Sequence, residues 1–156
     1  MSERPLLEVR SVSRSFGKVQ AVQGVSFQVE QGQVFGFIGP NGAGKTTTMR
    51  ILATLDLPDA GDAWVGGSSV LEEPREACMR LGFMADRFVP YANLLVSQFL
   101  DFMGRAYGLR GRQRTRTIAS IVDFCGLADF LDRPTTGLSK GMAQRLHLAK
   151  TLLLSL

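Results

Sequence analysis

The run Gly39-Pro40-Asn41-Gly42-Ala43-Gly44-Lys45-Thr46 fits G-x-x-x-x-G-K-[ST] at every fixed position. Residues of these types at this spacing suit phosphate binding. Backbone N–H groups must close around an anion, and side chains there would collide with it. Glycines permit both the dihedrals and the close approach. Lys45 offers a mobile point charge for outer phosphates, and Thr46 a hydroxyl for Mg²⁺. A helix opening straight after the loop would point its positive end at the anion.

The flanking segments have the order that such a site needs. Val34-Phe35-Gly36-Phe37-Ile38 is a continuous apolar run, as expected of a strand buried on both faces. Residues 45–55 read as a helix with Met49, Leu52 and Ala53 on one face. Upstream, Leu6 to Val12, Val19 to Val22 and Val25 to Val29 read as strands of an antiparallel meander, with a turn at Gly17-Lys18. Downstream, residues 58–70 resemble an edge hairpin. Glu72 to Met79 suggests a short helix, and Leu81-Gly82-Phe83-Met84 a strand. Helices are expected over 96–107, 113–125 and 140–154, with Gly126 as a C-cap.

Bulk properties narrow the class. In 156 residues, 45% are hydrophobic and 21% charged, which fits a folded globular domain and excludes a disordered polymer or collagen-like repeat. Lys plus Arg is 18 and Asp plus Glu 14, a net charge of only +4, which does not indicate nucleic acid. No apolar run approaches the roughly 18 residues of a membrane span. The start, Met1-Ser2-Glu3-Arg4, does not read as a secretory leader. Cys78 and Cys125 have no metal-ligand spacing and are expected to be buried thiols. The cluster Arg105, Arg110, Arg112, Arg114 and Arg116 is expected to be a solvated face.

Phe16-Gly17 at a strand end, the loop Gly39 to Thr47, and Leu138-Ser139-Lys140-Gly141-Met142 followed by Gln144-Arg145 occur in a telling order. Together they resemble the nucleotide-binding domain of ABC transporters over essentially the whole chain. Residues 82–86, 99–109 and 138–148 look most like the ATPase subunits of ABC-2-type exporters. The resemblance implies an α/β fold: an incomplete P-loop NTPase core with an N-terminal antiparallel β subdomain and an α-helical subdomain. The implied boundaries are 1–85, 86–135 and 136–156.

Site roles follow residue by residue from the resemblance. Phe16 matches the aromatic that stacks on adenine. Gly39, Asn41, Gly42, Gly44, Lys45, Thr46 and Thr47 match the Walker A loop. Asp86 stands where the family usually has a glutamine, and its carboxylate suits Mg²⁺. Phe88, Tyr91 and Leu94 follow in the region that contacts a membrane subunit. Leu138 to Met142 matches the signature usually written Leu-Ser-Gly-Gly-Gln, with Lys140 and Met142 departing from it. Ser139 is a natural N-cap. In the family, Ser139 and Gly141 would face a phosphate held by the opposite subunit.

The implied cofactors are ATP and Mg²⁺. The implied partners are a membrane-spanning transporter subunit and a second ATP-binding subunit in a head-to-tail dimer, with no nucleic acid. The implied location is the cytoplasmic side, peripheral on the inner face of the cell membrane. In this family the signature helix leads into an apolar strand ending in Asp and Glu, and a switch His follows. The sequence stops at Leu156 before matching residues. The expectation is therefore nucleotide binding with very poor hydrolysis by this chain alone, no catalytic residue being assigned, and a bared Val34–Ile38 segment. The alternatives are a non-hydrolysing ATP-binding fragment and a soluble ABC ATPase of translation or repair.

Overall fold

A computed structural model describes residues 5–154. Residues 1–4, read above as no leader, and the last two residues, Ser155 and Leu156, lie outside the described residues. The chain divides into two compact units, Met1–Leu81 and Gly82–Leu156.

The first unit is built on a four-stranded antiparallel sheet. Strand β1 (Leu7–Phe16) pairs with β2 (Val19–Val29) across the Gly17-Lys18 turn. Strand β3 (Ala60–Val65) pairs with the other edge of β1, and short β4 (Ser68–Ser69) follows it, in the order β2-β1-β3-β4. The two segments expected at 19–22 and 25–29 form one strand. Its register against β1 shifts several times, and Ser13 Oγ accepts from the Gly24 N–H at 2.9 Å where the pairing slips.

One sheet face is apolar. Val9, Val12, Val22, Ala63 and Val65 are buried there with Ile51 and Leu52 of helix α1 (Lys45–Leu52). Ala77 of α2 (Pro74–Met79) joins the same cluster. Each buried aliphatic side chain contributes roughly 1.5–3 kcal/mol by transfer. That packing seats α1, and so fixes the loop that opens it.

The second unit is helical: α3 (Val96–Ala106), α4 (Gly111–Cys125) and α5 (Lys140–Leu152). Phe99 and Leu100 of α3, Ile121 of α4, and Leu146 and Ala149 of α5 share one core. Gly126 ends α4 in the left-handed conformation, as expected of a C-cap.

Three expectations are corrected. Val34–Ile38 is not a strand and is not buried on both faces. Phe35 and Phe37 lean on Phe27, with centroids 4.9 and 5.5 Å away, whereas Val34 and Ile38 are fully or almost fully exposed. Among the described residues, no strand pairs with this segment, and without a ladder an apolar run covers only the face that meets other side chains. Leu81–Met84 likewise forms no strand; the boundary between the units falls within it. Cys78 is exposed, because α2 buries only Ala77; Cys125 is buried as expected, and desolvation raises its thiol pKa.

Candidate functional site

The glycine loop of the first unit spans residues 39–44 and runs directly into α1. Gly42 and Gly44 have φ of 84° and 80°, a region that costs L side chains free energy. The Ala43 N–H donates to the Pro40 carbonyl at 3.2 Å and closes the turn. The Thr48 N–H and hydroxyl both donate to the Gly44 carbonyl, at 2.8 and 3.0 Å, and Thr48 is buried. Thr48 therefore anchors the loop from beneath.

Gly44 is buried against β2. A Cβ on Gly44 would strike the Ala21 carbonyl oxygen and stand 3.0 Å from Val22 Cγ2. This contact ties the loop to the hairpin that carries Phe16. Phe16 pairs with Val19, and Ala21 lies two residues further along, about 7 Å of strand.

The start of α1 is arranged for an anion. Gly44 is its N-cap, no side chain caps the first turn, and no acid lies in that turn. Its leading N–H groups and dipole are thus left for an anion, as at other phosphate-binding helix starts. Lys45 Nζ donates to the Gly39 and Pro40 carbonyls at 2.6 Å each, so the ammonium is held at the loop rim. The Thr46 side chain is exposed and Thr47 half-buried.

Phe16 is 47% exposed and belongs to neither core. The Arg14 guanidinium carbon lies 4.8 Å from its ring centroid. Arg14 also pairs with Asp59 at 2.8 Å. The Ser15 amide, and next the Arg14 guanidinium, hold the Asp59 carboxyl below its ordinary pKa. Sequence reasoning did not single out Arg14 or Asp59. The alternation of Arg14 and Phe16 on one strand face was the available signal.

The signature segment lies in the second unit. Ser139 is the N-cap of α5, and its hydroxyl accepts from the Met142 N–H at 3.3 Å. Gly141 is exposed, and a Cβ there would meet nothing within 4 Å. Lys140 is exposed in a first turn that holds no acid. Asp86 is exposed in the same unit.

Of the three residues tied to a membrane partner, two face inward. Phe88 packs edge-to-face on Phe99 at 5.5 Å, and Leu94 packs on the helical core. Tyr91 is exposed. In the arginine cluster, Arg105 and Arg114 both pair with Asp101, at 2.8 and 2.7 Å. Arg110, Arg112 and Arg116 are exposed.

A family profile described as ABC transporter matches residues 22–155. The chain belongs to the ABC transporter family. This ABC transporter chain is 38% identical over 148 residues to the probable multidrug ABC transporter ATP-binding protein YbhF of Escherichia coli. That alignment covers 95% of the chain and 26% of the relative. It is 36% identical over 151 residues to the Nod factor export ATP-binding protein I of Ralstonia nicotianae, covering 96% of the chain and 46% of the relative. The chain therefore spans about a quarter to a half of the length of these relatives.

Among solved structures, the ATP binding subunit of an ABC transporter superposes with a TM-score of 0.87 at 28% identity, over 96% of the chain and 62% of that protein. A dimeric bacterial ABC transporter cassette shares the fold at a TM-score of 0.83 and 20% identity, over 96% of the chain and 70% of that protein. The α/β fold is thus that of ABC ATPase domains. Such domains bind ATP, usually with Mg²⁺, and ABC ATP-binding proteins dimerise and partner with membrane subunits.

The residues of the loop fit such a ligand. Its glycines cradle an anion, and the uncapped helix start and Lys45 supply positive potential. Among the described residues, no three His, Cys, Asp or Glu side chains gather to hold a metal. Mg²⁺ keeps several waters and takes much of its shell from substrate phosphates, so one exposed hydroxyl such as that of Thr46 is a fitting protein donor.

Proposed function

We propose that this chain is the ATP-binding part of an exporter-type ABC transporter motor. The observation that carries the reading is the start of α1: an uncapped, acid-free helix terminus behind two left-handed glycines, with Lys45 held at the rim. Gly39, Asn41, Gly42 and Gly44 offer backbone N–H groups and clearance to the phosphates. Lys45 exchanges its two carbonyl partners for outer phosphate oxygens. Thr46 gives its hydroxyl to Mg²⁺, and Thr47 supports the phosphates. Phe16 takes the base.

When bound, Mg²⁺ neutralises phosphate charge and orients the terminal phosphoryl group. The Asp86 carboxylate is of a type that suits a hard cation, and Ser139 and Gly141 are assigned a contact to a phosphate held by a second ATP-binding subunit. That arrangement makes ATP the bond between two subunits in a head-to-tail dimer. The chain works at the cytoplasmic face against a separate membrane subunit. Among the described residues, no helix is long and apolar enough to cross a membrane. The names of two relatives, a Nod factor export ATP-binding protein and a probable multidrug ABC transporter ATP-binding protein, support an exporter. The role assigned to these residues is binding and positioning.

Titration of the full chain with Mg·ATP tests this reading. Lys45→Ala is expected to weaken binding at least tenfold, by about 1.5–3 kcal/mol for charge-assisted hydrogen bonds. Unchanged affinity in Lys45→Ala overturns it.

A further inference from the structure

We propose that Arg14 is a positioning residue for the nucleotide base. It covers one face of Phe16 and presents the other face to the base. The proposal rests on the reading of Phe16 as the base platform.

Arg14 and Phe16 are two residues apart on β1, so their side chains leave the same face of the strand. The guanidinium carbon stands 4.8 Å from the ring centroid, within the range of a cation–π contact. Asp59 fixes it there. One carboxylate oxygen accepts from Arg14 Nη1 at 2.8 Å, and the other accepts from the Ser15 N–H at 2.6 Å. The Asp59 N–H donates in turn to the Ser13 carbonyl at 2.8 Å. Three consecutive residues of β1 are thus clamped by a single aspartate just before the ring.

Arg14 Nε is buried and has no hydrogen-bond partner among the described residues. Burying a guanidinium N–H without an acceptor is unfavourable. A surface ion pair alone would leave that N–H in water. Here the cation gives up hydration at one nitrogen while lying over the ring, which returns attraction from the π face.

Two consequences follow for the base. The covered face is closed to it, so one stacking geometry remains, and the ring loses less freedom on binding. The cation also draws the ring's π density, which makes the open face a better partner for an electron-rich purine. Arg14 therefore favours ATP over a pyrimidine nucleotide, and acts on the base and not on the phosphates.

The test titrates the full chain with Mg·ATP, Mg·CTP and magnesium inorganic triphosphate, which has no base. Arg14→Gln is expected to weaken ATP binding about three- to fivefold and to narrow the ATP-over-CTP preference. Triphosphate affinity is expected to stay within about twofold. Arg14→Lys retains part of the effect. In a Phe16→Ala background, Arg14→Gln adds nothing further. Should Arg14→Gln not fold, Arg14→Lys and Asp59→Asn carry the comparison, each with a smaller loss confined to ATP. Equal weakening of ATP and triphosphate, or no change in either, overturns the proposal. If Phe16→Ala itself leaves ATP binding unchanged, the platform reading fails instead.

Discussion

Gly44 lies so close to the carbonyl of Ala21 that no side chain fits between them. The same glycine has φ of 80° and caps α1. Contact, conformation and cap coincide at one residue, so the phosphate loop is held by the sheet as well as by its own turn. Gly44→Ala is expected to cost about 1–2 kcal/mol for the left-handed backbone and more for the clash. Melting should fall by several degrees and Mg·ATP binding should be lost. Gly17→Ala is the control: its φ is 60°, but a Cβ there meets nothing within 4 Å. It should show the backbone cost alone and keep nucleotide binding. Equal behaviour of the two variants would remove the role assigned to Ala21.

What the sequence disclosed divides by range of interaction. The glycine loop, the start of α1, the Ser139 cap and the Gly126 stop are local devices, in which residue type and spacing suffice. The ABC family itself is legible because Phe16-Gly17, the loop Gly39 to Thr47 and the segment Leu138 to Met142 occur in order. Val34–Ile38 and Leu81–Met84 form no strand despite their apolar runs, because strand formation depends on a partner that neither segment's own residues specify. The clamp of Arg14 by Asp59 joins residues 45 positions apart, and no periodicity reports it. Phe88 sits in a region marked for a partner subunit, yet its ring is taken by Phe99 of its own unit.

Ser139 does two jobs that can be separated. Its hydroxyl caps α5 through the Met142 N–H, and the same hydroxyl is assigned to a phosphate of a second subunit. Ser139→Ala should cost about 1 kcal/mol of stability, measured by denaturant melts. Ser139→Asp should restore the cap, because aspartate is an equally good N-cap. Its negative charge should still abolish ATP-dependent pairing, measured by light scattering. Pairing that survives in Ser139→Asp would count against a phosphate contact there.

His147 gives the helical unit a pH dependence of definite sign. It is 5% exposed, on α5, with its ring centroid 5.7 Å from that of Phe88. Burial, and next the charge of Lys150, push its pKa below the ordinary 6.5. The folded state therefore holds fewer protons on this group than the unfolded state near pH 6. Its contribution is fully present above the unfolded value and is lost as pH falls through the folded one. Stability of the full chain should decline from pH 7 to pH 5, and His147→Gln should flatten that part of the profile. A variant profile parallel to the parent's would assign the dependence to other groups.

Val34 and Ile38 make the segment before the loop adhesive. Phe35 and Phe37 lie against Phe27, and the alternate residues face outward with little cover. Among the described residues, the backbone groups of 34–38 have no hydrogen-bond partner. An apolar face beside unpaired N–H and C=O groups is a template for another strand. The expected behaviour of the chain is concentration-dependent association with binding of hydrophobic dye. Val34→Thr with Ile38→Thr should lower both, because β-branched shape is kept while two exposed aliphatic side chains become polar. Mg·ATP affinity should change by less than about twofold, since neither side chain is assigned a contact to the nucleotide. A double variant that associates and binds dye as the parent does would place the adhesive surface elsewhere, with the exposed Val89 and Phe124 of the helical unit next to be tested.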